Sequence, residues 1–136
     1  MSLALILLLA GLVAYIRLAP SDPALWHIDL AARPDVMAAP SPDTVTQLPN
    51  GAYIDSRIPL AAWDAVARAT PRTTVLAGSV AEGRITYITR SLLWGFPDYT
   101  TAQATPEGTV IFARQRFGGQ DMGVNAARLR DWLAKL

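Results

Sequence analysis

The chain has no cysteine, one histidine (His27) and one lysine (Lys135) among 136 residues. Without cysteine there are no disulfides, thiolate metal ligands, cysteine nucleophile or lipidated N-terminal cysteine. The compartment stays open, since a thiol-free protein suits either redox environment. A single histidine beside Trp26 in a proline-rich setting reads as a packing or surface residue, not a general base. Charge of one sign is also lacking: twelve basic residues face eleven acidic ones, for a formal net charge of +1. Such a balance produces no long-range field for polyanions, which argues against nucleic-acid binding. The glycines of Gly118-Gly119-x-x-x-Gly123 lack the Lys-Ser/Thr of a phosphate loop, and there is no G-x-S-x-G elbow. No cofactor or metal is expected.

Polar residues are missing from the start of the chain. From Leu3 to Ile16 the only polar group is the Tyr15 phenol, and Arg17 and Ala19-Pro20 close the run. As a helix of sixteen to nineteen residues it would reach roughly 24–28 Å, slightly short of a hydrocarbon core of about 30 Å. No basic residue precedes it, and neither Ala14 nor Ala19 offers a good cleavage site. The run therefore predicts an uncleaved single-pass transmembrane helix, with residues 3–18 in contact with the lipid bilayer. The expected location is the cell inner membrane. The periplasmic side is favoured for the domain, although Arg17 votes for the cytoplasmic one.

Proline is concentrated next. Pro20, Pro23, Pro34, Pro40, Pro42 and Pro49 fall within residues 20–49, a density that prevents long helices and central strands. This stretch reads as a linker or arm that packs on the domain through residues such as Leu25, Trp26, Ile28 and Leu30. Beyond it, Ala52–Ile54 reads as a short strand. A helix is expected from Pro59 to Ala69, where Leu60, Trp63, Val66 and Ala67 recur at helical spacing. Four strand-like runs follow, Thr73–Val80, Arg84–Ser91, Asp98–Ala104 and Thr109–Phe117, joined by short links that imply antiparallel hairpins. A last helix is expected over Met122–Leu136. The predicted fold is α+β: an antiparallel four- to five-strand sheet with two helices on one face, preceded by a transmembrane helix. The boundaries are 1–19 for the anchor, 20–49 for the arm and 50–136 for the domain.

The candidate site lies where the last strand meets the last helix. A four-residue turn at Thr105–Gly108 would pair Asp98 with Gln115. Strand alternation puts Ile111, Ala113 and Gln115 on the helix side and Val110, Phe112, Arg114 and Arg116 on the other. Asp121, Asn125 and Arg128 fall at i, i+4 and i+7, a polar stripe with Asp121 placed to cap the helix. Arginines beside free N–H groups in a glycine loop also suit an anion. The candidate ligand-binding residues are Arg90, Asp98, Arg114, Arg116, Asp121, Asn125 and Arg128. They read first as a structural lock on the junction, second as a pocket for a small anionic ligand, and last as an enzyme site.

The pattern Arg90-Ser91-x-x-x-Gly95-Phe96-x-Asp98, followed by Arg116-x-Gly118-x-x-Asp121-x-Gly123-x-Asn125-x-x-Arg128, resembles the domain-of-unknown-function family 1499 over roughly residues 50 to 136. The resemblance implies membrane association or export in bacteria, with relatives in plant plastids, and no known reaction. The chain departs from the pattern where the family tends to carry an Arg-Ser-x-Ser-Arg run: both serines are replaced in Phe112-Ala113-Arg114-Gln115-Arg116. Gly119-Gln120 stands for the usual Tyr-Ser, and Tyr99 for a second acid. The expected function is that of a membrane-anchored envelope protein, a non-enzymatic binding or assembly module with a protein partner or small anionic ligand. The alternative is a small enzyme or anion-binding protein using Arg116, Asp121 and Asn125.

Overall fold

A computed structural model describes residues 2–37 and 41–136. Pro40, one of the six prolines of the arm, lies outside them. The first helix, α1 (Leu3–Leu18), stops where Pro20 forbids continuation; Ala19 N–H bonds back to the Tyr15 carbonyl. The arm then makes two single-turn helices, α2 (Pro23–Trp26) and α3 (Pro34–Met37), separated by a 3-10 turn at Leu30–Ala32. Each of the first two turns is started by an aspartate: Asp22 accepts from Ala24 N–H and Asp29 from Ala31 N–H. Strands β1 (Thr46–Leu48) and β2 (Gly51–Ser56), helix α4 (Leu60–Ala69), strands β3 (Thr73–Ser79), β4 (Arg84–Arg90), β5 (Pro97–Thr105) and β6 (Gly108–Gln115), and helix α5 (Val124–Leu133) complete the chain.

The fold is α+β with a six-stranded antiparallel sheet in the order β1-β2-β6-β5-β4-β3. Two expectations are corrected. The sheet gains a strand, β1, inside the proline-rich arm, where three residues between Pro42 and Pro49 pair with β2. And α1 is not a transmembrane helix: it has sixteen residues, and no helix among the described residues is long and apolar enough to cross a membrane. At about 1.5 Å per residue it reaches roughly 24 Å. Its last turn is occupied with the domain, since Ile16 is buried and Arg17 Nη2 donates to the Leu93 carbonyl at 3.1 Å.

The alternation of β6 divides two cores as the sequence predicts. Ile111 and Ala113 join Ile54, Ile85, Tyr87 and Ala102 beneath α4 and α5, which contribute Leu60, Trp63, Leu129 and Trp132. Two tryptophans and a tyrosine are its largest side chains, and the Tyr87 and Trp132 rings meet edge-to-face at 6.1 Å. Helices α4 and α5 thus cover one face. The opposite face is covered by the arm: Leu30 and Val36 close over Tyr53, Val110 and Phe112. Trp26 stacks on Tyr99 with ring centroids 4.0 Å apart. His27 packs here too, its Nδ1 2.9 Å from Thr86 Oγ1.

At the outer edge, the β3–β4 register shifts by one residue between Val75 and Ala77, a β-bulge, and Gly78 follows at φ 86°. The turn after β2 hangs on one hydroxyl. The fully buried Ser56 donates to Asp43 Oδ1 at 2.7 Å and accepts from Ile58 N–H at 3.0 Å and Trp63 Nε1–H at 3.2 Å. Replacing it strands the buried Trp63 indole N–H and the part-buried Ile58 N–H at once. Ser56→Ala is expected to lower unfolding stability by about 1–3 kcal/mol in urea titrations; a loss within a few tenths would refute the hub.

Candidate functional site

The strand-to-helix junction is shaped by three residues with positive φ: Gly118 at 96°, Met122 at 55° and Gly123 at 79°. They turn the chain sharply enough that Asp121, not the residue next to the helix, supplies the cap. Asp121 Oδ1 accepts from Gly123 N–H at 2.9 Å, and Oδ2 accepts from Asn125 N–H at 3.0 Å. The left-handed pair at Met122 and Gly123 delays the helix, which starts at Val124 instead of Met122. Asp121 N–H donates to the Pro49 carbonyl at 3.1 Å, tying the junction to the turn between β1 and β2.

From this cap a chain of side chains runs across to β5. Asn125 Nδ2 donates to Asp121 Oδ2 at 2.9 Å, Arg128 Nη1 donates to Asn125 Oδ1, and Arg128 Nη2 bonds Asp98 Oδ2 at 3.1 Å. Asn125 is fully buried, Asp121 nearly so, and the Asp98 and Arg128 side chains are 14% and 13% exposed. The Thr105–Gly108 turn sets the register that makes this possible: Asp98 pairs with Gln115. Burial pushes the Asp98 carboxyl above its ordinary value of 3.8; Arg128 opposes the shift, and the Asp121 charge adds to it.

Of the seven candidate residues, Arg90, Asp98, Asp121 and Arg128 line one cavity, Asn125 lies buried behind them, and Arg114 and Arg116 stand apart. Asp98, Asp121, Asn125 and Arg128 converge on the helix side of the sheet. Arg114 and Arg116 project to the arm side, so they do not flank the glycine loop as an anion cradle. Arg116 Nη1 donates to the Pro20 carbonyl at 2.9 Å and to Tyr99 Oη at 3.1 Å. Arg114 is buried against Trp26 and Phe112. Arg90 donates to the Gly95 carbonyl at 3.0 Å and to Ile16 at 3.4 Å, fastening α1 and the β4–β5 loop. Asp121 has backbone N–H groups and Asn125 as partners rather than an arginine.

Next to the network lies a cavity of about 630 Å³. Asp98 and Arg128 line it with Phe96, Phe117, Met122 and Val124. Met122 is 92% exposed and holds left-handed backbone, a placement that nothing in the packing rewards. The apolar lining escaped sequence reasoning, although one signal was present: Phe96 and Phe117 fall beside Asp98 and Arg116.

The model for a family described as a protein of unknown function (DUF1499) matches residues 28–136. The chain belongs to this family. No curated protein and no solved structure matches it. The match begins at Ile28 rather than near residue 50, so the DUF1499 unit takes in most of the arm and β1 as well as the sheet and helices α4 and α5. In this DUF1499 chain the pattern residues Asp98, Asp121, Asn125 and Arg128 form the continuous chain of bonds, while Arg90 and Arg116 hold other segments.

Asp121→Ala removes two caps and leaves the buried Asn125 amide without its acceptor. A stability loss of about 1–3 kcal/mol is expected by chemical denaturation, and an unchanged midpoint would contradict the lock. The raised Asp98 value sets a pH dependence. Its contribution is fully present below the unfolded value of about 3.8 and is lost as pH rises through the folded value. Asp98→Asn should flatten that part of the stability–pH curve; the same slope in both proteins would exclude Asp98 as its source.

Proposed function

We propose that the protein is a non-enzymatic binding module that works on a lipid surface at the cell envelope, with α1 inserted in one leaflet rather than crossing the bilayer. The observation that carries this reading is the apolar surface that α1 and the loop at its foot expose. Helix α1 exposes Leu3, Leu7, Leu8 and Leu12, and it has no polar side from Leu3 to Ala14. At its foot, Leu92 is 77% and Leu93 73% exposed, with Trp94 beside them. Arg17 joins the two parts through its bond to the Leu93 carbonyl. A groove in another protein would engage one face of a helix; a helix apolar all round suits hydrocarbon. Tyr15, Arg17 and Trp94 at the base have the amphipathic character that favours the headgroup level.

The cavity adjoins this surface, because Phe96 lines it and Phe117 contacts both Phe96 and Tyr15 at 6.2 Å. With apolar rings and Met122 around a buried ion pair, it suits an amphiphile with a polar end. The polar network supports binding over catalysis, since its acids and Arg128 are bonded to one another and form a fixed wall.

The test is co-sedimentation of the full-length chain with vesicles of phosphatidylethanolamine and phosphatidylglycerol. Moving one leucine side chain into hydrocarbon is worth roughly 1.5–3 kcal/mol. The double variant Leu92→Asp, Leu93→Asp should therefore lower partitioning at least about tenfold while circular dichroism stays unchanged. Partitioning that ignores the double variant, or an intact chain that stays in the supernatant, would defeat the proposal.

A further inference from the structure

The other side of the sheet holds an unbalanced charge. Arg114 is 6% exposed, and its bonds go to neutral oxygens only: Thr101 Oγ1 at 2.9 Å, the Phe112 carbonyl at 3.2 Å and the Trp26 carbonyl. No carboxylate among the described residues pairs with it. The rings of Phe112 and Trp26, with centroids 5.1 and 5.7 Å from its guanidinium carbon, give partial compensation. A second cation stands over the same ring: the Arg33 guanidinium carbon is 4.9 Å from the Phe112 centroid. Burial, followed by the Arg33 charge, brings Arg114 down to about 10. A clamp for the arm needs only N–H donors, which a neutral amide could supply. A buried, unpaired positive charge is costly unless something negative reaches it.

A space for such a group is present. Between the arm and the sheet lies a cavity of about 500 Å³, lined by Arg33 and Arg114 and walled by Leu25, Ile28 and Leu48. Asp35 lies at the same cavity and engages Arg33 at 2.7 Å from an exposed position. Two arginines against one aspartate leave a single positive charge in surplus. We infer that this cavity binds a small monoanion, a carboxylate with an apolar body: the carboxylate sits between Arg114 and Arg33, and the body lies against Leu25, Ile28 and Leu48. Asp35 is then an internal competitor that the ligand displaces from Arg33. The site lies on the opposite face from the network around Asp121 and stands independently of the lipid-surface reading.

Benzoate is a suitable probe, with benzyl alcohol as its neutral counterpart and inorganic phosphate as the anion without an apolar body. The full-length chain in non-ionic detergent is titrated while the Trp26 indole and Arg114 side-chain N–H resonances are followed. Saturable shifts with benzoate are expected, and benzyl alcohol and phosphate should bind at least about tenfold more weakly. Arg33→Gln alters a partly exposed residue and should keep the fold; it should weaken benzoate about five- to tenfold, the scale of one rim charge. Asp35→Asn should tighten it, by removing the competitor. The proposal falls if benzoate shifts do not saturate, if benzyl alcohol or phosphate matches benzoate, or if Arg33→Gln binds like the unaltered chain.

Discussion

A six-stranded antiparallel sheet has two faces to keep from water, and helices α4 and α5 cover only one of them. The rest of the architecture follows from that shortage. On the helix side, Trp63, Trp132 and Tyr87 fill the space with few large side chains. On the other side the cover is the arm, which has single helical turns and no continuous element to bury. Such a cover gains little from its own backbone and depends on point attachments. The Trp26–Tyr99 stack, the contacts of Arg114 and Arg116 with arm carbonyls, and the Gln103 amide bonded to Asp29 and Leu30 supply them. Arginine suits this work because its fork reaches several carbonyls at once and its plane lies on aromatic rings.

The Asp121–Asn125–Arg128–Asp98 chain performs the matching task at the end of the sheet. Helix α5 must meet β6 at a fixed angle for Leu129 and Trp132 to enter the core. One carboxylate caps the helix, and one arginine fixes its second turn to β5. The apolar cavity is built on the outer side of that fixed wall. Of the chain's members, Asp98, Asp121 and Arg128 also line the cavity, whereas Asn125 belongs to the wall alone.

Much of this was legible in the sequence wherever a local rule had one solution. The Thr105–Gly108 turn fixed the β5–β6 register, and register fixed which side chains of β6 meet the helices. Helical spacing identified α4 and α5, and the i, i+4, i+7 stripe identified the polar chain. Features that rest on long-range contact were not legible. Strand β1 is three residues between prolines, with no alternation long enough to read. The arm was expected to pack on the domain through Trp26, Ile28 and Leu30, and it does, but the face of the sheet that it covers carries no periodicity. The separation of Arg114 and Arg116 from Asp121 depends on which face of the sheet each occupies, whereas their closeness in sequence suggested one cluster. Helix α1 failed on length: its composition was that of a membrane span, but the chain turned at Pro20 after sixteen helical residues.

The bulge in β3 has a consequence for how the molecule can assemble. A sheet of this kind ends in two rows of unpaired N–H and C=O groups, and a flat edge would recruit a second copy strand to strand. Here one edge is the three-residue β1. The other is β3, where the register shift at Val75–Ala77 and the left-handed Gly78 break the straight ladder. Growth of the sheet from molecule to molecule is therefore blocked at both ends. Copies of this chain brought to high concentration should therefore stay separate units instead of joining into a continuous β-sheet.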